Sequence, residues 1–242
     1  GNIYVAYPRA ALGRKEPLVL VAHLDHPAFW VEKAEAHRAR LRFRGGVGLP
    51  HAAKGTRVRF FKRGVAKPTG RGRLLDAAGQ HGHLVRLLGA AGKQGRLESA
   101  TATVDAGRAE PGGFAMWDLP GFSLRGGRIV TRCCDDLLGA AAALCTLDEL
   151  CRRKPKDACV WALFTRAEEV GFYGALMAVK HRAIPKGARV ISLECSKALP
   201  HAPQGEGVIV RVGDQASLFE ATLTEALRQM CAQIRKKDPG FR

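Results

Sequence analysis

Histidine and carboxylate side chains recur in this chain where short apolar runs stop. Pro17-Leu-Val-Leu-Val-Ala22 ends in His23-Leu24-Asp25-His26, and Ala158-Cys-Val-Trp-Ala-Leu-Phe164 leads into Thr165-Arg-Ala-Glu168-Glu169-Val-Gly171. Arg189-Val-Ile-Ser-Leu193 stops at Glu194, and Arg128-Ile-Val-Thr-Arg132 runs up to Asp135-Asp136. His23, Asp135, Glu169 and Glu194 are all able to bind a hard or borderline metal. Mixed histidine and carboxylate ligation suits zinc and, with more carboxylate, manganese or cobalt. Asp25 lies two residues past His23, on the same face of an extended segment, where it could orient the imidazole through its other nitrogen. Adjacent side chains on extended chain point opposite ways. Glu168 and Glu169 therefore divide naturally into one metal ligand and one group free to move a proton. Singly, each motif has an ordinary explanation, such as a solvated Glu-Glu turn or two aspartates complementing a helix dipole. Four of them at successive strand ends point to one site.

Those ends need a scaffold. Alternation of strand and helix patterns predicts an α/β fold with a mainly parallel, mixed sheet flanked by helices. Such sheets place their chemistry at the carboxyl ends of the strands. Asn2 to Tyr7 alternates like a half-buried strand, followed by a polar turn at Gly13–Glu16. Residues 17–22 and 158–164 are continuous apolar runs, the pattern of strands covered on both faces. Helices are predicted over Asp136–Arg153, apolar nearly all round and so largely buried, and over about Tyr173–His181. A third, Ser217–Lys236, has Ser217 as N-cap with Glu220 completing a capping box. Pro155 stops the first helix. Gly207-Val-Ile-Val-Arg-Val212 reads as a further strand.

Residues 31–130 differ in character. Helical periodicity is poor, and glycines punctuate short β-like runs at 40–44, 56–61, 83–88 and 98–104, the signature of a small barrel or sandwich. The expected organisation is therefore an α/β domain from residues 1–30 and 131–242, with an inserted β-rich domain at 31–130.

The 242-residue chain carries 39 Lys and Arg against 22 Asp and Glu, a net charge of +17. Residues 31–130 hold 19 of the basic and 7 of the acidic residues, so +12 of that excess lies there. Such a surface attracts anions non-specifically. Nucleic acid is not the expected partner, because the basic stretch has one dense aromatic pair, Phe60-Phe61, and no ordered stacking platform. No apolar run approaches the length of a membrane-spanning helix. Seven cysteines, an odd number without any CxxC pair, fit a reducing cytoplasm. Cys133, Cys145, Cys151, Cys159 and Cys231 stand in apolar surroundings and read as small core residues.

The motifs together resemble the M42 type of co-catalytic metallopeptidase, the glutamyl and tetrahedral aminopeptidases, within a clan shared with the M28 and M20 families. The matching pieces are Ala22-His23-Leu24-Asp25, Cys134-Asp135-Asp136-Leu137-Leu138-Gly139, Glu168-Glu169-Val170-Gly171-Phe172-Tyr173-Gly174-Ala175 and Ser192-Leu193-Glu194. The resemblance implies a zinc-peptidase fold, with the inserted domain serving as lid and oligomerisation element. It implies two divalent metal ions, zinc first, with cobalt or manganese as alternatives. His23 would bind one and Glu169 the other, Asp135 would bridge them, and Glu194 would complete the first site. Glu168 would be the general base, and Asp25 would assist catalysis beside His23. The implied activity is aminopeptidase action on short peptides by a homo-oligomer. The alternatives are a deacylase of the same clan and an inactive homologue acting as a basic binding protein. The sequence departs from the family pattern in several places. Glu194 stands where most members have Asp, His26-Pro27 where Glu-Ile is usual, and Leu137 where Arg or Lys is usual. The family's last ligand is a histidine beyond the long helix, whereas none follows His201. The chain thus reads as truncated at both ends or as lacking one ligand.

Overall fold

The computed structural model describes residues 1–8, 16–80, 95–214 and 217–238. The predicted run at 83–88 and most of the turn at Gly13–Glu16 lie outside the described residues. In chain order the strands are β1 (Ile3–Tyr7), β2 (Leu18–His23), β3 (Ala28–Ala34), β4 (Arg38–Arg44), β5 (Arg57–Phe61), β6 (Pro68–Gln80), β7 (Arg96–Thr103), β8 (Ala106–Gly107), β9 (Phe114–Trp117), β10 (Ser123–Arg125) and β11 (Arg128–Val130). Helix α1 (Cys134–Arg153), strand β12 (Val160–Thr165), helix α2 (Tyr173–Lys180), strand β13 (Arg189–Ser192) and helix α3 (Ala221–Lys237) follow. The chain forms two compact units, residues 1–194 and 195–242.

The first unit holds a four-stranded sheet in the order β1-β12-β2-β13. Strands β12, β2 and β13 are parallel, and β1 runs antiparallel along β12. The apolar runs are continuous because both faces are covered. Leu20, Ala22, Ala162 and Phe164 pack with Ala140, Ala143 and Leu147 of α1, while Val19, Trp161 and Leu163 pack with Ala178 of α2. Register aligns His23 with Thr165, and Val21 with Ser192. The carboxyl ends of three strands are thereby brought level.

Helix α1 buries one stripe, not its whole circumference. Asp136, Gly139, Ala140, Ala143 and Leu147 are buried at helical spacing, whereas Leu137, Leu138 and Leu144 are exposed. Its alanines give enough apolar character to imitate all-round burial, but only the stripe meets the sheet. The helix ends at Lys154, whose left-handed backbone returns its N–H to the Leu150 carbonyl, just before Pro155. Cys145 and Cys151 are exposed, so the core role read for these two does not hold, whereas half-buried Cys159 packs against the Val19, Trp161 and Leu163 cluster.

Strands β5-β9-β3-β4-β7-β6 form an antiparallel ring, closed by pairing of β6 with β5, and β8 adds to β6. Strict alternation produces it. On β4, Ala39, Leu41 and Phe43 point inward and Arg38, Arg40, Arg42 and Arg44 outward. Phe29, Phe43 and Trp117 meet inside with centroids 5.0–5.6 Å apart, and the Trp117 indole N–H donates to the His51 carbonyl at 2.8 Å. Strand β3, where the chain leaves the α/β sheet, pairs directly with β9, the barrel's last strand, through Phe29 and Ala115. Strands β10 and β11 form a separate hairpin.

Two expectations for residues 195–242 fail. Residues 207–212 form no strand among the described residues, since no neighbouring segment supplies the ladder that their alternation requires. Helix α3 starts at Ala221 rather than at Ser217. Glu220 is itself the cap, its carboxylate accepting from Thr222 N–H and Leu223 N–H. Ser217 instead donates its backbone N–H to the Asp214 carboxylate.

Barrel closure makes a precise demand at Gly72. A Cβ there would lie 1.8 Å from the Thr103 carbonyl oxygen and 3.2 Å from Phe60, whereas one on Gly46 would meet nothing within 4 Å. Gly72→Ala is expected to lose about 1–3 kcal/mol and Gly46→Ala to stay within about 0.5 kcal/mol. Urea unfolding followed by circular dichroism measures both, and equal midpoints for the two would refute the crowding argument.

Candidate metal centre

His23 is the last residue of β2 and is 3% exposed. Its Nδ1 lies 3.0 Å from the Asp25 backbone carbonyl. A carbonyl can only accept, so Nδ1 carries the proton of that bond. In the neutral ring, Nε2 is then a bare lone pair. It stands 2.9 Å from Asp135 Oδ1, 3.8 Å from Glu168 Oε2 and 3.9 Å from Glu194 Oε1. Burial opposes a charged imidazole, but the carboxylates of Glu194, Glu168 and Asp135 outweigh it and lift the His23 pKa to about 10.

The carboxylates arrive from separate elements. Glu168 and Glu169 follow β12 in a tight turn. Ala167 enters the left-handed region at φ 59°, Gly171 has φ 123°, and the Gly171 and Phe172 N–H groups donate to the Glu168 carbonyl. The turn removes the opposite-sides geometry of extended chain, so ligand atoms of His23, Glu168 and Glu169 lie within 4.8 Å of one another. Glu194 follows β13, and its ligand atom forms a second such group with His23 and Asp135. Asp135 does not end a strand of the main sheet. The run before it forms β11, paired among the described residues with β10 alone, and Asp135 is the second residue of α1, with non-helical φ −85° and ψ 107°.

Asp25 acts differently from the sequence expectation. Its backbone carbonyl, not its carboxylate, holds the imidazole. Carboxylate Oδ1 lies 3.7 Å from His23 Nδ1, and the two oxygens accept the Glu168 N–H at 3.0 Å and the Glu169 N–H at 3.1 Å. Asp25 thus clamps the turn that carries both glutamates.

Two further residues belong to the site. Asp136, fully buried, accepts the backbone N–H groups of His23 and Gly139 at 3.2 and 3.1 Å. His26 brings Nδ1 within 3.4 Å of the Asp135 carbonyl, and burial lowers its pKa. The Asp-Asp pair drew attention to Asp136 in the sequence, but no pattern identifies its backbone partners.

Concentrated negative charge dominates the electrostatics. Burial, then the Glu168 and Asp135 carboxylates, push Glu169 up to about 7, and burial and Glu194 push Asp136 up to about 6. Burial raises Glu168 and Asp135 as well. An imidazole nitrogen directed at a cluster of mutually repelling carboxylate oxygens is a donor set that fits divalent cations of the zinc, cobalt or manganese kind.

The sequence model of the M42 glutamyl aminopeptidase family matches residues 1–235, and the chain belongs to that family. No curated protein matches it. Among solved structures it is similar to the TET1 peptidase of Pyrococcus horikoshii, which can assemble into a tetrahedron or a large octahedral shell. That match has 22% identity and a TM-score of 0.67, covering 96% of this chain and 69% of the other. A TET aminopeptidase from the marine sediment archaeon Thaumarchaeota archaeon SCGC AB-539-E09 matches at 18% identity and TM-score 0.70, covering 97% and 67%. An aminopeptidase of the archaeon Desulfurococcus kamchatkensis matches at 20% identity and TM-score 0.67, covering 97% and 66%. The likeness at these identities is one of fold, and the chain spans about two-thirds of the length of these structures. No helix among the described residues is long and apolar enough to cross a membrane.

The Asp25 clamp makes a measurable claim. Asp25→Ala strands two backbone donors and is expected to cost about 1–3 kcal/mol. Amide exchange at Glu168 and Glu169 should accelerate in step. Unchanged exchange at both positions would show that the carboxylate does not hold the turn.

Proposed function

We propose that the chain is a metal-dependent aminopeptidase that removes N-terminal residues from short peptides. The observation that carries this reading is the His23 ring. Its Nδ1 is committed to the Asp25 carbonyl, and its Nε2 is directed at Asp135, Glu168 and Glu194, carboxylates from three separate segments. Family membership over residues 1–235 supports the same conclusion.

In this reading His23, Asp135 and Glu194 would hold one divalent cation, and Asp135 and Glu169 would hold a second. Zinc is the first candidate, with cobalt or manganese as substitutes. Such ions, when bound, polarise the scissile carbonyl and acidify water. The chain's own residues do the rest. Glu168 is the general base, taking a proton from the attacking water and returning it to the leaving amine. Asp25 is a positioning residue that fixes Glu168 and Glu169 through their backbone. The carboxylates also form a negative surface that attracts the free ammonium end of a peptide.

The inserted segment, bounded by sequence pattern at residues 31–130, begins in the fold with barrel strand β3 at Ala28, and it is proposed as an insertion in a catalytic domain made of the residues before it and 131–242, acting as lid and assembly element of a homo-oligomer. The shell-forming P. horikoshii relative supports assembly. Seven free cysteines suit a reducing cytoplasm.

Dialysis against a chelator should abolish hydrolysis of aminoacyl anilides, and zinc, cobalt or manganese should restore it. Glu168→Gln should lower kcat by about 10²–10⁴-fold while retaining metal. Turnover by rigorously metal-free protein would overturn the reading, and preference for N-acyl substrates would redirect it to a deacylase. Analytical ultracentrifugation should return a species larger than the 26.1 kDa chain, and a monomer at all concentrations would remove the assembly proposal.

A further inference from the structure

The β2–β13 ladder stops just short of the site. Its last bond runs from the Leu193 N–H to the Val21 carbonyl at 2.8 Å, while the Leu24 N–H turns to the opposite edge and donates to Thr165 at 2.9 Å. In a parallel ladder alternate residues face the same edge, so the His23 N–H is the next donor on the β13 side. It goes instead to Asp136 Oδ2 at 3.2 Å. The other oxygen, Oδ1, accepts the Gly139 N–H at 3.1 Å, in the first turn of α1. A single buried carboxylate thus joins the end of the strand carrying His23 to the start of the helix carrying Asp135. Its neighbour Asp135 lies 2.9 Å from the ring of the same histidine. Consecutive residues therefore grip His23 twice, Asp135 at the imidazole and Asp136 at the backbone.

Gly139 leaves the space for this arrangement. A Cβ at that position would lie 2.3 Å from Asp136 Oδ1 and 2.8 Å from Oδ2. The carboxylate thus occupies the volume that any other side chain at 139 would take.

We infer that Asp136, with Gly139 as the space that admits it, is a positioning residue that sets the distance between the His23 and Asp135 ligand atoms and so the affinity of the centre for its cation. The inference rests on the metal-centre reading above, but its geometry can be tested without metal. A carboxylate accepts two N–H groups at once, whereas the amide of Asp136→Asn has one acceptor oxygen and turns a donor toward the second N–H.

The experiment has two arms. In metal-free protein, hydrogen exchange followed by NMR should show the His23 and Gly139 amides protected, and about tenfold or more faster exchange at one of the two or at both in Asp136→Asn, the equivalent of one lost hydrogen bond. Amides of Leu41 and Ala102 in the barrel serve as the control and should not change. In the second arm, cobalt binding is titrated by its visible absorption. Asp136→Asn should weaken it by about 10–100-fold, the range usual for groups that orient ligands. Gly139→Ala should weaken it comparably in the Asp136 protein but by less than about twofold in an Asp136→Ala background, where the methyl no longer meets a carboxylate. This cycle also serves if Asp136→Asn folds poorly. Unchanged exchange at both His23 and Gly139 in Asp136→Asn, or an equal effect of Gly139→Ala in both backgrounds, would overturn the inference. Wild-type protein that takes up no cobalt would instead refute the metal-centre reading, and the exchange arm alone would then decide the role of Asp136.

Discussion

Like charges held together around one buried imidazole are the constraint on which the α/β part of this chain depends. Asp25, Asp135, Asp136, Glu168, Glu169 and Glu194 all lie at or beside His23, and few arrangements are harder to sustain in a partly dehydrated cleft. The fold meets the repulsion with the His23 imidazole itself and with backbone dipoles. Asp25 takes two N–H groups from the glutamate turn, and Asp136 takes two more from β2 and α1. Each of these two carboxylates is thus held by two backbone amides. The remaining four form two groups that share His23, Glu168 with Glu169 and Asp135 with Glu194.

Much of the arginine-rich composition lies in the barrel segment, residues 31–130. Arginines gather on the outer surface of the barrel, where Arg42 pairs with Glu32 and Arg59 with Asp118. Neutralising the acidic cluster with guanidinium groups would fill the space and spend the charge that a cation could use. The +17 balance of the whole chain and the local negative charge of the centre are thus compatible because they occupy different places.

Much of this was legible from the residues alone, for identifiable reasons. Strands β2 and β12 announce themselves because both faces are covered, which leaves no polar position to interrupt the run. His23, Glu168, Glu169 and Glu194 of the candidate site are visible because a sheet of this kind presents its strand ends on one side, whereas Asp135 comes from the start of α1. Patterns could not show where a backbone N–H goes. The dual role of Asp25, whose carbonyl holds His23 while its carboxylate holds the glutamate turn, depends on Ala167 adopting a left-handed conformation that alanine does not advertise. Asp136 was visible as half of a pair, but its function depends on an edge donor left over when β13 ends. The misread burial of α1 has a similar origin, since alanine-rich sequence does not say which side meets the sheet. The alternation at 207–212 carries no information about whether a partner strand lies beside it.

Pairing of β3 with β9 has a consequence for how the chain finds its native state. His23 and Thr165 sit side by side in the sheet although well over a hundred residues separate them. Closing so long a loop delays productive encounters between its ends. Once the barrel has formed, its first and last strands are neighbours, and most of the intervening chain no longer counts toward the loop. A closed barrel therefore shortens the loop that the α/β sheet has to close between His23 and Thr165.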